Sequence, residues 1–357
     1  QSFNILEKSN MTLSYTNMTT EEELYKYKEA FKKAGSPKTI DRLTWFHFKN
    51  IARSPLVTLV TDNGHLAAIY ATLPIKVKLG EKVVNACQSL DTLTDEDYRG
   101  KGLFISAATK RYQENAKKGY DFVYGFPNSN SVHGFVKKLD WSLLGGIPFL
   151  FRPLRTGYFL KKLMGRRLAS LIDMPLAFPV KVKLDDDWSI KPVSKFDVSF
   201  DELWDSFSHD IPVAVQRDSN YLNWRYIENP TTNYEVFALY RNEVVQGFVV
   251  YTSMNKHGGK VGYIMELIVR PKAKKQSKVL LLHAQNYFLC NKVDVILAWC
   301  FAHSANYSLY AGSRYWPIPD RLRPIELHFG YVSLNKENVL LTKRENWYIS
   351  YSDSDTV

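Results

Sequence analysis

Seven residues, Tyr98-Arg99-Gly100-Lys101-Gly102-Leu103-Phe104, carry the clearest chemical signal in the chain. They follow an apolar, strand-like run from Ala86 to Leu93 and lead into a helical run from Ile105 to Lys117. Two glycines and two cations thus stand where a strand hands over to a helix. The first N–H groups of a helix have no partner inside it, and the helix dipole puts partial positive charge at the same end. Glycine lets the backbone come close to an anion, and Arg99 and Lys101 add whole charges. The chemistry this predicts is the cradling of a pyrophosphate at a helix N-terminus. Two common cradles are excluded. The P-loop spacing G-x-x-x-x-G-K-[ST] is absent, and the dinucleotide fingerprint G-x-G-x-x-G lacks its third glycine.

Such a loop needs a sheet behind it, and the surrounding pattern supplies one. The first half reads as helices over 20–34 and 39–51 and strands over 57–61, 66–77 and 83–93. A helix over 103–118, a strand over 122–126, a short helix over 131–139 and late strands over 143–151 follow. Asp62-Asn63-Gly64 between apolar runs is a hairpin signal. Hairpins followed by a strand–loop–helix–strand unit predict a mixed α/β sheet with helices on both faces.

That order recurs. LTWFHFKN (Leu43 to Asn50) matches LNWRYIEN (Leu222 to Asn229), an offset of 224 − 45 = 179. GFPNSNSVHGFVKKLDW (Gly125 to Trp141) matches CFAHSANYSLYAGSRYW (Cys300 to Trp316), an offset of 316 − 141 = 175. Two ordered blocks at nearly equal offset indicate a duplicated unit. The change of offset implies a net deletion of four residues in the second copy, in its hairpins. At the 175 offset Gly100 and Gly102 fall on Lys275 and Ser277, so the second copy has no glycine at its loop. Only the first copy is then expected to hold the anion. The second braces it or presents a further substrate.

The bulk numbers agree. A chain of 357 residues is long for one core,, and the repeat places the domains at 1–180 and 181–357. No apolar run approaches the roughly 20 residues of a membrane span, and Gln1 to Met11 lacks the layout of a signal peptide. Cys87, Cys290 and Cys300 have no metal-ligand spacing, and their apolar contexts predict buried, reduced thiols and a cytoplasmic setting,. No metal site is expected. The net charge of +11 favours anionic partners,. Apart from Lys161-Lys162 with Arg166-Arg167 and the run Lys272 to Lys278, the cations are scattered. No arginine-rich arm, zinc-finger spacing or RNP-type motif accompanies them, which turns the reading from nucleic acid toward phosphorylated small molecules.

Arg99, Gly102 and the intervening Gly100-Lys101 resemble the pyrophosphate loop R-x-x-G-x-G/A of the GNAT acyl-CoA N-acyltransferases. Phe104 departs from it, standing where the pattern has a small residue. With the repeat, the resemblance spans two GNAT-like domains in tandem, the second degenerate. The segment R-D-x-x-Y-L-x-W-R-Y (Arg217 to Tyr226) and the terminal D-S-D (Asp353 to Asp355) resemble bacterial acyltransferases of surface-polysaccharide biosynthesis (lipopolysaccharide O-antigen or capsule). Some of those acylate the amine of a nucleotide-linked amino sugar. Two alternatives stay open: a peptide or aminoacyl transferase of cell-wall assembly, and a non-enzymatic basic module binding nucleic acid or another acidic polymer.

The resemblance implies acyl-CoA as co-substrate and direct attack of an amine on the thioester. The backbone of Leu93 and Thr94 would pair with the pantetheine amides and polarise the carbonyl. Arg99, Gly100, Lys101, Gly102, Leu103 and Phe104 would hold the pyrophosphate, with Asn128 and Asn130 bonding cofactor or acceptor. Asp91 is the first candidate base, with Glu266 at its place in the second copy. His133 is the other, with an ordinary pKa that suits amine deprotonation. Phe135 stands near a position where many relatives keep a tyrosine acid, and the second copy has Tyr310. On the acceptor side, Arg217, Tyr221, Trp224 and Arg225 could stack a base and clamp a diphosphate, although Trp45 repeats Trp224 and so suggests a core residue. His303 and Tyr315 are placed facing the cleft between the domains.

Overall fold

The computed structural model describes residues 11–158, 173–256, 258–319, 323 and 325–357. The basic cluster Lys161-Lys162 with Arg166-Arg167 lies outside them. In the first half, β1 (Leu13–Asn17), α1 (Glu23–Lys33) and α2 (Ile40–His47) precede a meander of β2 (Leu56–Asp62), β3 (His65–Leu79) and β4 (Lys82–Thr94). Then come α3 (Leu103–Lys117), β5 (Phe122–Gly125), α4 (Val132–Lys138), β6 (Ser142–Gly146) and β7 (Phe149–Pro153). The second half has β8 (Trp188–Pro192), α5 (Val198–Ser208), β9 (Val213–Val215), α6 (Ser219–Leu222), β10 (Glu235–Arg241), β11 (Val244–Lys256) and β12 (Gly259–Val269). It continues with α7 (Lys278–Cys290), β13 (Val295–Trp299), α8 (Tyr307–Gly312), β14 (Trp316–Pro317) and β15 (His328–Ser333).

The predicted mixed α/β layering is present. Residues Leu56 to Val60 of β2 are buried without a break, as a strand covered on both faces requires. On one face Leu56, Val60, Ala68 and Tyr70 pack with Leu103, Ala107, Ala108 and Tyr112 of α3. On the other, Val57, Leu59, Ile69 and Ala71 pack with Leu24, Tyr27 and Phe31 of α1. The shortened hairpin of the second copy is also visible. β11 is two residues shorter than β3 (13 against 15) and β12 two shorter than β4 (11 against 13), which together account for the four deleted residues.

The eight-stranded sheet runs β1-β2-β3-β4-β5-β15-β6, with β9 also paired to β3, and the seven-stranded sheet runs β14-β7-β13-β12-β11-β10-β8. Each sheet therefore contains an inner strand from the other half. β15 lies between β5 and β6, and β7 between β13 and β14. A cut at 180/181 does not separate two self-contained sheets, and the late strands of the first half part company, β6 staying and β7 crossing over. Trp45 and Trp224, equivalent in the two copies, stack at 4.7 Å where the halves meet, and the Trp45 indole N–H donates to the Trp224 carbonyl at 3.1 Å. Cys87 and Cys300 are buried, but Cys290, at the end of α7, is exposed, against expectation. None of the described helices is long and apolar enough to cross a membrane. No described group of three or more histidine, cysteine or acidic side chains is arranged to hold a metal ion.

Candidate active site

β4 and β5 run parallel but pair only at Cys87–Val123 and Gln88–Tyr124. From Ser89 onward β4 diverges from β5, while its other edge stays bonded to β3. There, Tyr70 opposes Thr92 and Thr72 opposes Ser89, so Leu90 and Asp91 together face Ala71. Two residues against one make a β-bulge, which bends a strand and re-aims its side chains. A cleft of about 550 Å³ opens beside the bulge, lined among others by Lys38, Arg42, Ser89, Asp91, Asn128 and Asp355.

Its charges are paired in a definite way. The Asp91 carboxylate accepts from Lys38 Nζ at 2.6 Å and from the Tyr27 hydroxyl at 2.7 Å. The ion pair is partly open, with side-chain exposures of 14% for Lys38 and 13% for Asp91. Arg42 Nη2 donates to the Asp355 carbonyl at 2.9 Å, tying the C-terminal segment to the cleft. Burial pushes the Asp355 carboxyl above the usual carboxylate range, and the Asp91 charge adds to this, against Lys38 and Arg42. Burial also raises the Tyr27 phenol well above its ordinary value, with Asp91 adding. His47, buried behind Tyr27 with the rings 5.5 Å apart, is drawn down to about 4 by burial and is therefore neutral near pH 7.

The glycine loop lies at the far end of β4. Gly100 and Gly102 have φ of 78° and 76°, and Gly102 is the N-cap of α3. A Cβ at either would meet nothing within 4 Å. Packing does not demand these glycines. The left-handed backbone does, and the face they leave is open, which suits a pyrophosphate. Leu103 is buried beneath the loop. Lys101 Nζ sits over the Tyr98 ring at 4.6 Å, and Arg99 lies 3.5 Å from Glu96, both on the surface. The second copy differs as the sequence implied. No described non-glycine or glycine residue from 270 to 278 has positive φ. Ser277 is helical and buried, its hydroxyl bonded to the Ala273 carbonyl at 2.9 Å.

Phe104 has a partner of its own. Its ring meets Phe135 edge-on at 5.1 Å, and a Cβ on Gly134 would come within 2.7 Å of it. The bulky residue in the loop is thus matched by a glycine in α4. Gly134→Ala should lower stability by about 1–3 kcal/mol, the usual cost of overpacking, despite alanine's better helix propensity. In a Phe104→Ala background the same change should become neutral or stabilising. Chemical denaturation of the four proteins of this cycle checks the reversal of sign.

Asn128 and Asn130 line the cleft. Asn128 Oδ1 accepts from the Asn130 and Ser131 N–H groups at 3.0 and 3.2 Å, shaping the turn before α4. His133 is exposed on α4 and does not line the cleft, so the geometry does not support it as a base. Leu93 and Thr94 pair with Ile69 and Ala68 of β3 on one edge only.

The acceptor-side residues need correction. Arg217 is fully buried, pairing with Glu266 at 3.0 Å and Asp353 at 2.6 Å. Glu266 also accepts from Tyr348, Ser350 and Ser352. Arg225 donates to the Ser352 and Ser354 carbonyls and to Tyr234, and the Tyr221 hydroxyl to the Ser352 carbonyl. Trp224 is the core partner of Trp45. None of the four lines the cleft. Arg217, Tyr221 and Arg225 fasten residues 350–354 beside Glu266 of β12. His303 lies outside the cleft lining, its Nε2 3.0 Å from the Trp347 carbonyl, and Tyr315 is buried beneath Arg152. Removing Arg217 leaves two buried carboxylates unpaired, so Arg217→Ala should cost about 3–5 kcal/mol, measured by urea unfolding.

Sequence reasoning missed Tyr27, Lys38, Arg42 and Asp355. One signal was available in the repeat. Lys38 and Asp91 stand at the positions of Arg217 and Glu266 (217 − 38 = 179; 266 − 91 = 175). Each copy places a cation opposite an acid, sealed in the second and open in the first.

Residues 15–144 match the family described as acetyltransferase (GNAT) domain, so the first half carries a GNAT domain and the enzyme class is that of an acyltransferase. No curated protein sequence matches the chain. Among solved structures, a GCN5-related N-acetyltransferase from Anabaena variabilis superposes with TM-score 0.64 at 12% identity, over 90% of this chain and 73% of that one. Saccharomyces cerevisiae N-myristoyltransferase with bound myristoyl-CoA gives 0.59 at 14%, over 89% and 82%. A GCN5-related N-acetyltransferase from Kribbella flavida gives 0.59 at 12%, over 90% and 71%. At these identities the likeness is one of fold, and it extends across both halves: the chain folds as two GNAT-like units in tandem.

Proposed function

We propose that this protein is an acyl-CoA-dependent N-acyltransferase whose first unit binds the donor and whose cleft receives a small-molecule amine. The observation that carries this reading is the joining of an open glycine-capped helix to a free strand edge in one copy only. The donor supplies an activated thioester. The N–H groups of the first turn of α3 and the backbone of Gly100 and Gly102, with Arg99 and Lys101, would hold its pyrophosphate. The free edge of β4 near Leu93 and Thr94 would bond the pantetheine arm as an added strand and present an N–H to the carbonyl oxygen.

An amine arrives at neutral pH as an ammonium and must lose a proton. Asp91, its oxygens already bonded by Lys38 and Tyr27, is placed to fix the positive charge. Asp355, raised above the usual carboxylate range, is the proton acceptor, because basicity rises with pKa,. For the acceptor we infer an amine on a molecule that also carries negative charge, a nucleotide-linked amino sugar being the form the sequence resemblance suggests. The support is the presence of Lys38 and Arg42 beside the carboxylates and the net charge of +11. Dependence on acyl-CoA is in keeping with a cytoplasmic setting. Acetyl-CoA at millimolar concentration should raise the melting temperature by several degrees, as a ligand that binds only the native state does. An unchanged melting temperature with acetyl-CoA overturns the reading.

A further inference from the structure

A second cavity, of about 160 Å³, adjoins the cleft and shares Ile325, Leu327 and Thr356 with it. Its other walls are aromatic and come from the second sheet and the C-terminal segment: Phe149 on β7, Tyr263 on β12, Trp299 on β13, and Tyr351. The rings brace one another. Trp299 stacks on Tyr351 at 4.4 Å, Phe149 meets Trp299 edge-on at 5.6 Å, and Tyr263 meets Tyr351 edge-on at 5.3 Å. The Tyr263 hydroxyl is buried and has no hydrogen-bond partner among the described residues. Lys256, at the same cavity, donates to the Thr356 carbonyl at 2.6 Å.

Size narrows the occupant. An apolar cavity of about 150 Å³ holds one benzene-sized molecule. We propose that this cavity is a subsite for a planar, ring-sized group of the acceptor. The inference rests on the acyltransferase reading above. The ring belongs to the acceptor because no lining residue comes from β3, β4 or α3, the elements along which the donor would lie.

The test is titration calorimetry of the CoA-saturated protein with two probe amines. Phenethylamine should bind at least about tenfold more tightly than ethylamine, the gain from burying one ring. Ile325→Trp, a change at an exposed residue of the shared rim that fills the entrance, should bring the ratio close to one. Equal affinities in the wild-type protein, or no binding of either amine, overturn the subsite while leaving an acetyl-CoA melting shift intact. Tighter binding of hexanoyl-CoA than acetyl-CoA that Ile325→Trp removes would give the cavity to the donor, and overturns it too. Loss of the acetyl-CoA shift itself would instead overturn the acyltransferase reading, and this inference with it.

Discussion

Gly102→Asp should abolish the melting shift given by acetyl-CoA and lower kcat/KM at least about a thousandfold. Two effects combine. The residue sits at φ 76°, where a side chain costs about 1–2 kcal/mol, aspartate being among the more tolerant. The fold should therefore survive. The larger effect is charge. A carboxylate about 4 Å from a pyrophosphate oxygen meets a repulsion of about 4 kcal/mol at an effective dielectric of 20, about three powers of ten in affinity. The matching change in the second copy, Lys275→Asp, should leave the acetyl-CoA shift in place, because that loop has neither a glycine nor a left-handed residue to open its backbone. A shift that persists in Gly102→Asp would remove the loop from the donor site.

Asp355→Asn should lower kcat by about 10²–10⁴-fold, the range for losing a general base, while leaving the melting temperature at pH 7 unchanged or higher. The stability sign follows from linkage. The folded-state pKa of Asp355 is raised above its unfolded value. The native state then holds this proton more tightly than the unfolded state, so stability falls as pH rises through the unfolded and then the folded pKa. An amide does not ionise and escapes that loss. It leaves the main-chain bond from Arg42 untouched. The wild-type kcat/KM should rise with pH through the raised Asp355 value, and this limb should vanish in the variant. Stopped-time assays of thiol release across pH measure both. If Asp91→Asn loses activity and Asp355→Asn keeps it, the proton passes to Asp91 instead.

Much of the frame was legible because its signals are local. The hairpins, the strand–loop–helix junction and the repeat are written in neighbouring residues, and positive φ at Gly100 and Gly102 follows from residue type. Asp91 sits on the strand that leads to the loop and does line the cleft. Its partners come from elsewhere, Tyr27 from α1 and Lys38 from the turn before α2, and no short-range pattern joins them. Arg217 and Arg225 misled for a physical reason. An arginine in an aromatic segment looks like a binding residue, but Arg217 serves to neutralise the buried Glu266 and Asp353, and Arg225 to hold the Ser352 and Ser354 carbonyls. The crossing of β7 and β15 was hidden because an inner strand of either sheet asks for the same apolar, β-forming residues. Nothing in its composition names the sheet it will join.

That crossing has a consequence for how the molecule holds together. Among the described residues, β6 reaches β5 through β15 alone and β14 reaches β13 through β7 alone. Withdrawing either half takes a rung out of the middle of the other's ladder and leaves bare N–H and C=O rows on both sides of the gap. The two copies are therefore bound into one cooperative unit. The second copy supplies the strand that completes the sheet beside the candidate cleft of the first.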